Sequence, residues 1–128
     1  VTNKKNDYTV RFYDVENKTY HAVHLEGTRT FEDGIPENEE EQHIMTFQDD
    51  AAFSKDYLFV IYMGDYRQKK KEDPDYMGRI IQLDWNGNLI KSYVLHEWIN
   101  RITYDETNHI LYGSNYWFGN LYSCGVIE

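Results

Sequence analysis

The chain has 128 residues, 41% hydrophobic and 16% aromatic, which gives room for one domain with one modest core and is too aromatic for a disordered chain. A formal net charge of −9 argues against a general nucleic-acid role, because phosphate contacts need a cationic surface. No apolar run approaches the length of a membrane span, and Cys124, the single cysteine, can form no internal disulfide and is expected as a small buried residue.

In chain order, residues 8–14 (YTVRFYD) alternate as a strand, 15–18 turn, and 19–25 (TYHAVHL) form a second strand. Residues 27–42 read as a long acidic loop holding Gly34, Pro36 and three consecutive glutamates. Residues 44–53 form a strand with a polar middle at 48–50. A turn at 54–56 leads into 57–63 (YLFVIYM), apolar enough to be buried on both faces. A second long loop spans 64–78. Residues 79–83 and 89–95 are two strands around Asn86-Gly87, a pair that favours a type I′ hairpin turn with positive φ at both central residues. Strands at 99–104, 110–114 and 120–126 follow, separated by a turn at 105–108 and an aromatic loop at 113–119. The pattern predicts no helix beyond one short turn at 96–101.

Internal repetition organises these strands. VRFYDVENKTYHAVHL (10–25) lies over IIQLDWNGNLIKSYVL (80–95) without gaps, so Asp14 falls on Asp84 and Leu25 on Leu95. FSKDYLF (53–59) lies over YDETNHIL (104–111) with one gap. The unit is a four-strand meander, a to d, repeating every fifty-odd residues, which is the pattern of β-propeller blades. The fold expected is all-β: antiparallel four-stranded blades of an incomplete propeller, about two to three blades over 1–128. It comprises a blade end at 8–25, a full blade at 44–95 and a last, incomplete blade at 99–128.

The stretches GRIIQLDWNGNLIKSYVL and ITYDETNHILYG resemble the bacterial TolB-like six-bladed propeller proteins. That resemblance implies a periplasmic or cell-surface location and carries over no catalytic residues. It also implies about six blades, so the chain, which begins at Val1 without Met, is expected to be the C-terminal portion of a longer propeller. Unpaired strand edges would then drive self-association.

A meander alternates its connections between two ends. The short a–b and c–d turns belong to one end and the long b–c and d–a connections to the other. Binding residues concentrate on loops held by a rigid scaffold, so the candidates are Asp65, Tyr66 and Arg67 in one long loop and Asn115, Tyr116 and Trp117 in another. The three aromatics of the loop, Tyr116, Trp117 and Phe118, offer a platform for a sugar ring or peptide, with packing between blades as the alternative. Arg67 offers a carboxylate clamp, with a surface ion pair as the alternative. Strands a line a propeller channel, which makes Gln48, Asp49 and Asp50 the channel-facing candidates. The acidic loop at 32–41 lacks the spaced ligands of a calcium loop. His21 and His24, three apart on a strand, point to opposite faces. Asp84 and Asp105 recur at turn positions and read as turn formers. No nucleophile elbow, zinc helix or phosphate loop is present. No catalytic residue, metal site or cofactor is therefore expected. The leading expectation is a non-enzymatic module presenting a loop-rich face to a protein, peptide or glycan. The alternatives are a propeller hydrolase or lyase acting on a carbohydrate or lactone, and a purely structural repeat.

Overall fold

The computed structural model describes residues 9–24, 47–63, 71–74, 76–115 and 117–126. Nine strands and no helix occur among them: β1 (Thr9–Asp14), β2 (Thr19–His24), β3 (Phe47–Phe53), β4 (Tyr57–Tyr62), β5 (Arg79–Asp84), β6 (Leu89–Val94), β7 (Arg101–Asp105), β8 (Ile110–Asn115) and β9 (Asn120–Val126). They form three antiparallel sheets in chain order, β1-β2, β3-β4-β5-β6 and β7-β8-β9. The described residues thus hold one four-stranded blade between a two-stranded and a three-stranded partial one, the strand set expected from the repeat. Residues 96–100, where one helical turn was expected at most, are an irregular strap leading into β7.

The apolar run of β4 forms a strand because its β-branched and aromatic residues fill both faces of the central sheet. Leu58 and Val60 pair with Leu83 and Ile81 of β5 and face β1, meeting Val10 and Phe12. Phe59 and Ile61, opposite Gln82 and Ile80, face the third sheet, where they join Ile99, Ile102 and Leu111. The central sheet therefore separates two cores. Of the strands in the central and third sheets, the two first strands, β3 and β7, make the close inter-sheet approach. The sheets meet there and diverge toward β6 and β9, as blades fan out from an axis.

The polar middle of β3 acquires a structural meaning. The register slips between Phe47 and Ala51, so the run at 48–50 sits in a bulge. Asp50 turns to β7: its Oδ2 accepts from the Ile102 backbone N–H at 2.7 Å, and Arg101 Nη1 lies 3.8 Å from Oδ1. This carboxylate joins the two inner strands.

The hairpin turns differ from the type I′ geometry expected at Asn86-Gly87. Only Gly87 has positive φ, at 86°; Gly87 N–H donates to the Asp84 carbonyl, and Asp84 N–H donates to the Asn88 carbonyl. That is a three-residue loop closed by a glycine bulge. The cause is the Asp84 side chain. Oδ1 accepts from the backbone N–H of Asn86 and Asn88 and Oδ2 from Asn88 Nδ2, which draws the loop around the carboxylate. Asp14 does the same with Asn17, and Asp105 with Thr107 and Asn108. Ser54 Oγ substitutes at the remaining turn, accepting from Asp56 and Tyr57 N–H. The turn-forming role expected of Asp84 and Asp105 is thus present, and Asp14 shares it.

These bonds, led in each case by the Asn side-chain amide, hold the carboxyls of Asp14, Asp84 and Asp105 below the ordinary value of 3.8. A pKa lower in the folded than in the unfolded state means the stabilisation is complete above the unfolded value. It is lost as pH falls through the folded one. The thermal midpoint is therefore expected to drop as pH is taken below 3.8, and the combined Asp14→Asn, Asp84→Asn, Asp105→Asn variant to flatten that acid limb. Calorimetry across the acid range checks this; an unchanged limb in the variant would place the acid sensitivity elsewhere.

Candidate functional site

At the long-connection end, β8 runs one residue beyond the strand expected at 110–114, through Asn115, so the overlap of that strand with the aromatic loop at 113–119 resolves in favour of the strand. Gly113 belongs to the sheet, not to the loop. A Cβ there would lie 2.7 Å from both Cδ1 and Cγ2 of Ile99, so glycine lets the strap pass close over the strand. The strap is stitched down on both sides. Leu95 N–H donates to the Gly78 carbonyl, and Asn100 N–H to the Ser114 carbonyl, both at 3.0 Å. Tyr76 meets Trp98 edge-on at 5.3 Å.

Asn115 organises the aromatic loop. It is buried; its Nδ2 donates to the Trp98 carbonyl at 3.0 Å and its Oδ1 accepts from Trp117 N–H at 2.9 Å. Its backbone carbonyl accepts from Phe118 and Gly119 N–H. Both ends of the amide serve the backbone, so Asn115 positions the loop. Trp117 and Phe118 then stand out from it at 74% and 71% exposure, and Leu121 at the start of β9 is equally exposed. The aromatic platform read from the sequence includes Phe118 but not Leu121; spacing places both near Trp117, and their exposure follows only from the fold.

Asp65, Tyr66, Arg67 and Tyr116 lie outside the described residues, as do the acidic stretch 32–41 and the side chains of Gln48 and Asp49, whose backbone belongs to β3. Of the described candidates the structure joins Asn115 and Trp117 in one loop and keeps Asp50 apart from them. Asp50 sits between the inner strands, and Trp117 projects from the connection of β8 to β9. Among the described residues no group of three or more His, Cys, Asp or Glu is arranged to hold a metal ion. No helix among them is long and apolar enough to cross a membrane.

Among the described residues, clefts open between the sheets. One of about 210 Å³ lies behind the strap, walled by Ile80, Tyr93, Ile99, Leu111 and Tyr122, with Cys124 beside them. Cys124 is half-buried, and burial pushes its thiol up from 9.0, which keeps it protonated and poorly nucleophilic. Near this space Gln82 is buried in the apolar layer. Its Oε1 accepts from Tyr93 OH at 2.7 Å, and its Nε2 has no partner among the described residues.

Another cleft, about 370 Å³, lies at the short-turn end between the first hairpin and Trp85. That end is braced by its own contacts: Trp85 Nε1–H donates to the Lys55 carbonyl at 3.0 Å, and Lys55 N–H to the Glu106 carboxylate. Sequence reasoning assigned no site to this end because its turns are short. The usable signal was the repeat itself, which sets the 15–18 turn over Trp85 and Asn86.

A family model described as TolB-like 6-blade propeller-like matches residues 4–107. The matched span includes β1 to β7 and ends before β8. No curated protein and no solved structure matches the chain at a significant level.

Proposed function

We propose a function from one premise: this chain belongs to the TolB-like 6-blade propeller-like family. It is a non-enzymatic binding module that presents its long-connection end to a protein, peptide or glycan. The observation that supports this reading is the aromatic pair Trp117 and Phe118, exposed on a loop that Asn115 holds in place. A fixed, solvated aromatic pair loses little entropy on binding and offers both apolar area and, through the indole N–H, a hydrogen bond. The hydrolase or lyase alternative has less support, because the described carboxylates on the inner strands are both engaged, Asp50 by Ile102 and Arg101 and Asp105 by Thr107 and Asn108 of its own turn. The family resemblance favours an extracytoplasmic location. The strands at the sheet edges, β9 among them, favour self-association.

Screening immobilised oligosaccharides and extended peptides against wild type and Trp117→Ala tests the binding reading. Loss of an aromatic anchor of this kind costs about 2 kcal/mol or more, roughly thirtyfold in affinity. The variant should keep its circular dichroism and thermal midpoint, since Trp117 is mostly solvated. A ligand of the long-connection end retained at full affinity by Trp117→Ala would reject the platform. Light scattering over a concentration series tests association: mass should rise with concentration, and a constant monomer mass would reject edge pairing.

A further inference from the structure

The cleft at the short-turn end has the chemistry of a cation site. Phe12 forms its floor and belongs to the core between the first and central sheets. His21 lies flat on that ring, with centroids 4.9 Å apart and planes 5° apart, and Trp85 meets it edge-on at 6.3 Å. Tyr20, 66% exposed, flanks the opening and tilts against Tyr13 at 5.5 Å. Rings that only packed two sheets together would be covered. Here the deepest ring is covered and those around it stay open to solvent.

The rim supplies the polar part. Asp14, Thr19 and Asn86 all line the cleft. Each Asp14 oxygen accepts one bond from Asn17, which fixes the carboxylate and keeps it ionised. An ionised carboxylate has about four lone-pair sites, so capacity remains. The side chains of Asn86 and Thr19 make no hydrogen bond among the described residues. Ring faces are negative, the fixed charge is negative, and the whole chain carries −9. An anion is therefore disfavoured. A hard metal ion needs several oxygen ligands, and the cleft offers one carboxylate. A neutral sugar would gain little from the fixed negative charge at Asp14, which a cation uses directly. A diffuse organic cation satisfies both walls and rim.

We propose that the cleft between the β1–β2 hairpin and Trp85 binds an alkylammonium or guanidinium group, seated against Trp85, His21 and Tyr20 with Asp14 as counter-charge. The site is independent of Trp117, since meander topology puts the two at opposite ends of the sheets.

The test is a heteronuclear NMR titration of the full chain, reading the Trp85 indole N–H, which the Lys55 carbonyl fixes in place. The probes are tetramethylammonium, methylguanidine, the neutral shape match tert-butanol and methyl glucoside. The expected result is a saturable shift at Trp85 with either cation at about millimolar Kd, as a solvent-exposed ring cluster gives. Tert-butanol should give no saturable shift. Asp14→Asn, which retains an acceptor for the turn, should weaken binding about fivefold. Tyr20→Ala, at an exposed position, should weaken it as well, whereas Trp117→Ala should leave it unchanged. Capped arginine binding at least as tightly as methylguanidine would assign the cation to a protein side chain; much weaker binding would assign it to a free amine or guanidine. The proposal is overturned if neither cation gives a saturable shift, if tert-butanol or methyl glucoside matches them, or if both variants bind as wild type does.

Discussion

Phe59→Ala is expected to lower stability by about 3–5 kcal/mol, the range for emptying a large aromatic from a core. Phe59 is fully buried and sits at the centre of the layer between the central and third sheets. Its ring lies 5.0 Å from that of Tyr104, and its strand partners are Ala52 and Gln82. Ala52 is too small to fill the space. Gln82 brings an amide nitrogen that has no partner among the described residues, so the new cavity would be part polar and would not collapse cheaply. Urea unfolding of the variant measures the loss. A change below about 1 kcal/mol would mean that the two sheets do not depend on this contact. Phe59→Leu should recover a large part of the deficit, since most of the apolar volume returns.

Gly87→Ala should be nearly as damaging for a different reason. Two costs coincide at this position. The backbone has φ of +86°, a conformation that costs a residue with a Cβ about 1–2 kcal/mol. The added carbon would also run into Val23 Cγ2, on the neighbouring sheet. Overpacking of that kind adds about 1–3 kcal/mol. The conformational cost falls on the central sheet, whereas the clash falls on its contact with the first. The expected result is a fall of about 2–4 kcal/mol, together with early loss of amide protection in β1 and β2. Protection in those strands equal to that of wild type would show that the hairpin moves aside freely. Asn86→Ala, at the neighbouring position of the same turn, provides the control, because its backbone φ is not positive.

Much of the architecture was legible because its causes are local. Alternation in 8–14 and the doubly apolar run at 57–63 place strands to within a few residues. The superposition of Asp14 on Asp84 revealed the repeat before any contact was known. What escaped the sequence depends on who meets whom across sheets. Asn86-Gly87 carries the signal for one turn type, but the Asp84 carboxylate two residues earlier captures the Asn86 and Asn88 amides and imposes another. Gly113 looks like a loop residue until Ile99 is seen to pass over it. Asn115 looks like a ligand-binding amide until both its ends are traced to backbone. Asp50 is a channel-facing candidate in the sequence, but FQDDAAF does not tell that its carboxylate accepts from the Ile102 N–H of the next sheet. Gln82 alternates correctly as a buried position, yet nothing in RIIQLD tells which face carries the amide or that Tyr93 will reach it. The aromatic cleft at the short-turn end was hidden for the same reason: Phe12 and Trp85 are seventy-three positions apart in sequence and meet only through sheet stacking.

The central sheet keeps its two cores apart, so that Phe59 and Leu58, adjacent in the chain, belong to different interfaces. Energetically this makes the described sheets a short linear array, in which, among the described residues, each sheet packs on its neighbour. A defect in one interface should not be transmitted through the central sheet except by unfolding it. Evolution can therefore revise the two sides of the middle blade separately, and a binding surface acquired at one end of the array places no steric demand on the other.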